Sequence, residues 1–129
     1  MNLEDLSYKI RGVIFEVFKE LGPGLLESVY EMALLREFEL QGIEAKNQIP
    51  IPVYYKSGYL EMGFRIDILV ENKIIIEIKS VKSIEDVHKK QLLTYLKLSE
   101  LQLGFLANFN SSFLEDKISL IRIVNNYSN

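Results

Sequence analysis

Gly63-Phe64-Arg65-Ile66-Asp67-Ile68-Leu69-Val70, followed after Glu71-Asn72 by Lys73-Ile74-Ile75-Ile76-Glu77-Ile78-Lys79-Ser80, decides how this chain folds. Both runs are rich in β-branched residues, so the stretch predicts a hairpin of two strands, Tyr59 to Val70 and Lys73 to Ser80. Side chains alternate between the faces of a strand. Alternation puts Phe64, Ile66, Ile68, Val70, Ile74, Ile76 and Ile78 on one wholly apolar face. The other face takes Arg65, Asp67 and Leu69 with Ile75, Glu77 and Lys79, so its charge gathers away from the turn. A two-residue loop pairs positions of opposite parity, whereas a three-residue loop at Glu71-Asn72-Lys73 sets Asp67 opposite Glu77. In that register two carboxylates meet, which costs stability unless a cation joins them.

Two readings of the charged patch follow. In one, Arg65 pairs diagonally with Glu77 and Asp67 with Lys79, a neutral set on a solvated face. In the other the acids serve chemistry. Ile74, Ile75, Ile76 and Ile78 mark a central strand, where charge is expensive to bury without a purpose. Polar groups also converge from elsewhere: Glu27 opens a helix directly after Gly22-Pro23-Gly24, and Gln91 and Tyr95 share a helix stripe with Ile84 and Leu98.

On the amino-terminal side, Ile10, Val13, Ile14, Val17, Phe18 and Leu21 recur at helical spacing, and Gly22-Pro23 stops the run. A helix over about residues 3 to 21 is expected. A second, from about Leu25 to Gln41, carries Leu26, Val29, Tyr30, Ala33, Leu34 and Phe38 on its apolar side, with Gly42 just past its end. Ile49, Ile51 and Val53 then alternate with Pro50, Pro52 and Tyr54, an extended segment that its prolines confine to a sheet edge, and Ser57-Gly58 marks a turn.

On the carboxy-terminal side, Ser83 with Asp86 predicts a capped helix from about Ile84 to Leu101, and two strands near Leu103 to Phe109 and Lys117 to Val124 finish the chain. The order ααβββαββ reads as α/β or α+β with a mixed central sheet. His88 is expected as a solvated surface residue, and Lys82, Lys89, Lys90 and Lys97 as a basic side of the third helix. Tyr8, Tyr30, Tyr54, Tyr55, Tyr59, Tyr95 and Tyr127 show no regular interleaving with basic residues, so the sequence predicts core borders rather than a base-stacking platform.

The 129 residues suit one domain over 1–129, with 48% apolar and 26% charged residues. The lack of cysteine excludes disulfides, thiolate catalysis and Cys-based metal sites, and the single histidine excludes two-His motifs. Any metal is therefore a hard, oxygen-binding one. A net charge of −3 supplies no global field for nucleic acid, and no apolar run reaches membrane-spanning length, so a cytoplasmic protein is the default.

Gly24-Leu25-Leu26-Glu27-Ser28-Val29-Tyr30 resembles the signature of the GxxExxY proteins, a group within the PD-(D/E)XK nuclease superfamily. The superfamily pattern continues as Asp67, then Glu77-Ile78-Lys79, then Gln91 and Tyr95, with Ile66 where the name-giving proline would stand. The resemblance implies a restriction-endonuclease-like α/β core, a central mixed sheet flanked by helices. It also implies hydrolysis of nucleic-acid phosphodiester bonds, with DNA the expected substrate. Mg²⁺ or Mn²⁺ would be held by Asp67, Glu77, Glu27 and the backbone carbonyl of Ile78, with Lys79 as a further catalytic group. Gln91 and Tyr95 would contact nucleic acid or support the ligands. A homodimer would suit two-strand cleavage. A non-catalytic nucleic-acid-binding or assembly module on the same fold is the alternative, and a structural oligomer with a salt-bridged hairpin is a third.

Overall fold

The structure, a computed structural model, describes residues 1–126, the side chains of Glu61 and Met62 excepted. Tyr127 lies outside the described residues. Helix α1 spans Leu3–Leu21, with the Asn2 side chain accepting from the N–H of Asp5 at its start and Gly22 at its end. Helix α2 runs Glu27–Leu40 and ends before Gly42, whose positive φ of 72° suits glycine. Strands β1 (Ala45–Tyr55), β2 (Gly58–Val70) and β3 (Ile74–Lys79) follow, then helix α3 (Asp86–Ser99) and strands β4 (Leu103–Asn108) and β5 (Leu120–Val124).

These strands form one five-stranded sheet in the order β1-β2-β3-β4-β5, antiparallel throughout except for the parallel β3–β4 pair that α3 connects. Parallel neighbours need a crossover, and α3 is that crossover. Helices α1 and α2 cover one face, burying Ile10, Ile14, Leu34 and Phe38 against Ile68, Ile74, Ile76, Ile78 and Phe105. Helix α3 covers the other, where Leu92, Tyr95 and Leu96 meet Ile51, Ile66, Ile75, Leu106 and Ile121. Strand β3 lies centrally with both faces covered, which explains its near-continuous isoleucine run. Among the described residues no helix is long and apolar enough to cross a membrane.

Four expectations need correction. Phe64 and Ile66 do not share the apolar face of Ile68: Ile66 packs in the α3 core and the Phe64 ring lies against Tyr95, with centroids 5.2 Å apart. The pleat of β2 slips at Asp67, and the facing strand β1 slips with it at Gln48, which has a φ of 52°. Helix α3 starts at Asp86, not at Ile84, because Glu85 rather than Ser83 caps it: the Nδ1 of His88 accepts from the N–H of Glu85 at 2.9 Å. His88 thus has a capping contact instead of mere solvation. Strand β5 starts at Leu120 rather than Lys117, because residues 117–119 form a turn in which the N–H groups of Ile118, Ser119 and Leu120 donate to the carbonyl of Glu115.

The carboxylate pair at the splayed end of the central hairpin

The hairpin loop is the three-residue one. Glu71 and Asn72 both take positive φ, the N–H of Lys73 returns to the carbonyl of Val70, and the rungs run Val70–Ile74, Leu69–Ile75 and Ile68–Ile76. The next rung would join Asp67 to Glu77. There the backbone ladder gives way to side chains: the N–H of Asp67 donates to the Glu77 carboxylate and the N–H of Ile78 donates to the Asp67 carboxylate, each at 2.8 Å. Each acid fills the place of the other strand's missing carbonyl, so β2 and β3 part around the two carboxyl groups. In a strand, the carbonyl of a residue leaves on the same edge as its N–H, so that of Ile78 faces the same gap.

Burial makes these acids unusual. Glu77 is only 4% exposed. Desolvation, reinforced by the charge of Asp67, pushes its carboxyl up to about 8, against the opposing pull of the Asp67 N–H and of Lys79. Desolvation also raises Asp67, with Glu31 and Glu27 adding to the rise while the Ile78 N–H and Lys79 work against it. Tyr95 on α3 is raised too, by burial first and then by the charges of Glu77 and Asp67, which places its ring within the field of the pair.

Lys79 reaches α3, where its Nζ donates to the side-chain carbonyl of Gln91 at 3.3 Å. The alternative of diagonal salt bridges fails. The ion pairs among the described residues are Arg11–Asp116, Arg36–Glu39 and Arg122–Glu4, none of which involves the hairpin acids.

Glu27 stands at the first position of α2, exposed, with its charge felt by both carboxylates. The segment that positions it is built around Tyr30. This ring is fully buried and stacked on Phe109 with centroids 4.2 Å apart, and its hydroxyl donates to the carbonyl of Gly22 and accepts from the N–H of Leu25. Gly24, at a φ of 92°, supplies the turn and donates to the carbonyl of Phe109. The glycine, glutamate and tyrosine thus divide into a bend, a presented acid and a buried lock.

Two polar residues at this end escaped the sequence reading. Glu31, one helical turn beyond Glu27, accepts from the side chains of Asn47 and Gln48 on β1 and adds to the field on Asp67. Its spacing of four from Glu27 was the available signal. Asn108 at the end of β4 is buried and clamps the backbone of Val81 through both atoms of its amide, fixing the chain just after Lys79. Nothing in the sequence singled it out.

Among the described residues no three Asp, Glu or His side chains converge into a ready metal cage. Mg²⁺ rarely asks for one, since it commonly keeps several waters and takes one or two carboxylates together with substrate phosphates. The raised Asp67–Glu77 pair, with the Ile78 carbonyl facing the same gap, fits that donor chemistry.

A family model for the PD-(D/E)XK nuclease superfamily matches residues 4–121. The chain belongs to this superfamily. The sheet with helices on both faces is accordingly an α/β, restriction-endonuclease-like fold, and nuclease ancestry follows from membership. Among solved structures, the crystal structure of SSO0001 resembles it at 21% identity and a TM-score of 0.56 over 79% of this chain. The chain spans 52% of that protein's length, and a likeness at this identity speaks for the fold alone. The search of curated proteins gave no match.

Proposed function

We propose that the protein is a divalent-metal-dependent nuclease that hydrolyses phosphodiester bonds of DNA, and that Asp67, Glu77, Lys79 and Glu27 are its catalytic residues. The observation that carries this reading is the mutually facing carboxylate pair, Glu77 buried and Asp67 half-buried, whose ionisation the protein disfavours and a cation would favour. Asp67, Glu77 and the Ile78 carbonyl would hold Mg²⁺ or Mn²⁺, with Glu27 adding an acid from α2. When bound, such an ion polarises the scissile phosphate and acidifies the attacking water.

The chain's own residues do the rest. Lys79 stabilises negative charge developing on the phosphate, and Gln91 holds its ammonium in place. Tyr95, nearly buried beneath the acids, supports them rather than offering a ring to a base. Hydrolysis by direct attack of water needs no covalent intermediate. The turn at Gly24, the acid Glu27 and the lock Tyr30 support placing the chain among the GxxExxY proteins.

A second reading is a non-catalytic binding or assembly module, which the net charge of −3 favours. Titration of Mg²⁺ and Mn²⁺ by calorimetry into wild type and Glu77→Gln, followed by incubation with DNA and RNA, separates the two. Binding and cleavage in wild type, both lost in the variant, is the expected result. No binding at millimolar metal with nucleic acid present overturns the catalytic reading.

A further inference from the structure

Strands β1 and β2 are much longer than the sheet they belong to. Strand β2 pairs with β3 only through Ile68, Leu69 and Val70, whereas its pairing with β1 continues to the Tyr55–Gly58 rung. Residues 49–66 therefore form a two-stranded arm that starts beside the carboxylate pair. Its base is anchored on α3 by Ile51 and Ile66, which are buried, and by the Phe64–Tyr95 contact. Past the irregularity between Ile51 and Val53, residues 54–60 are all exposed. Gly63 is required at that bend, since a Cβ there would sit 2.6 Å from the carbonyl oxygen of Ile51.

The tip exposes three tyrosines. Tyr54 and Tyr59 lie directly opposite one another with ring centroids 5.5 Å apart, and they are 69% and 56% exposed. Tyr55, also exposed, carries the Lys56 ammonium 5.4 Å from its ring centre. Exposed rings of this size are costly in water unless something covers them. The arm bears Lys56 and Arg65 against one acid, Glu61, in a chain whose net charge is −3, so a small excess of positive charge and the aromatic surface coincide on it. Pro50 and Pro52 lack the N–H groups that another strand would need, which weighs against a second copy adding to this edge.

We propose that this arm binds unpaired nucleotides, with a base stacked on the Tyr54–Tyr59 pair and the backbone phosphates drawn by Lys56 and Arg65. The proposal rests on the nuclease reading and narrows its substrate to nucleic acid with a single-stranded portion. Stacking on aromatic rings accepts any base but needs its face open, which a paired duplex does not offer. The eight residue steps from Tyr59 to Asp67 span roughly 26 Å of strand, so the held base lies several nucleotides from the bond to be cut.

The test is fluorescence anisotropy in Ca²⁺ with a labelled 20-nucleotide oligothymidine and with a blunt duplex. The variants are Tyr54→Ala/Tyr59→Ala, Tyr54→Phe/Tyr59→Phe and Lys56→Glu, each with a matched thermal melt and sedimentation velocity run. Wild type is expected to prefer the single strand. The alanine pair should weaken that binding about tenfold or more, with the phenylalanine pair close to wild type. Lys56→Glu, which leaves the rings in place, should weaken binding and flatten its salt dependence. Unchanged affinity in the alanine pair, or no single-strand binding by wild type, overturns the proposal. So does a fall from dimer to monomer in the alanine pair, which would make the arm a contact between copies. Tyrosine-dependent binding with no Mg²⁺-dependent cleavage overturns the catalytic reading alone.

Discussion

The pairing of β2 with β3 has two halves built on opposite logic. Near the turn, Ile68, Val70, Ile74 and Ile76 are fully buried, and the two strands keep a regular register. One rung further, Asp67 and Glu77 take over the hydrogen bonds, and both carboxyls are raised, first by burial, then by the charge of Asp67 on Glu77 and by those of Glu31 and Glu27 on Asp67. The aliphatic half holds the sheet together. The acidic half gives up part of that stability to hold two carboxyls in a low-dielectric gap, the kind of perturbed pair that the proposed metal site would use.

The largest expected contrast is in activity. Glu77→Gln keeps an acceptor for the Asp67 N–H yet removes the charge, and it should lower Mg²⁺-dependent cleavage by about a thousandfold or more in a single-turnover assay. Glutamine is the sharper choice than alanine, because alanine also strands a buried N–H at about 1–3 kcal/mol.

Stability should respond in the reverse sense. Ile76→Ala is expected to destabilise by about 2–5 kcal/mol in denaturant titrations, whereas Glu77→Gln should stabilise the metal-free protein at pH 8 by about 1–3 kcal/mol. Equal losses from both substitutions would break the comparison.

The pH dependence has a definite sign. Between the ordinary value of 4.5 and about 8 the folded protein keeps a proton on Glu77 that the unfolded chain releases, so rising pH removes stability across that window. The upward shift of Asp67, from 3.8, acts in the same direction. Melts in chelator should therefore show a falling midpoint from about pH 5 to pH 8, and Mg²⁺ should flatten the fall.

Smaller effects sharpen the picture. Tyr30→Phe removes the hydroxyl that ties Gly22 to Leu25, at about 1–2 kcal/mol by thermal unfolding. Gln91→Ala should reduce cleavage only a few-fold and leave the melt unchanged, since it loosens Lys79 without uncovering the core.

Much of this was legible in the sequence because strand alternation and turn length are strong constraints. The α1 boundaries and the edge position of the proline-bearing strand follow from periodicity and backbone chemistry, whereas the sequence left two- and three-residue loops open and the structure has the latter. The side of Ile66 does not, because alternation assumes an unbroken pleat and the pleat slips where Asp67 reaches across to Ile78. The roles of Glu31 and Asn108 depend on contacts 16, 17 and 27 residues away, which no local pattern encodes. The aromatic tip was missed for a related reason: Tyr54 and Tyr59 are neighbours only after the strands fold back.

The two amides that the acids hold give the protein an internal indicator. The N–H groups of Asp67 and Ile78 are bonded to the carboxyls that titrate, and not to backbone carbonyls that never change. Their nitrogen and proton resonances should move with each protonation or ion capture, while the amides one rung away stay still. The occupancy of the centre can thus be read from two crosspeaks, with no label added and no substrate present.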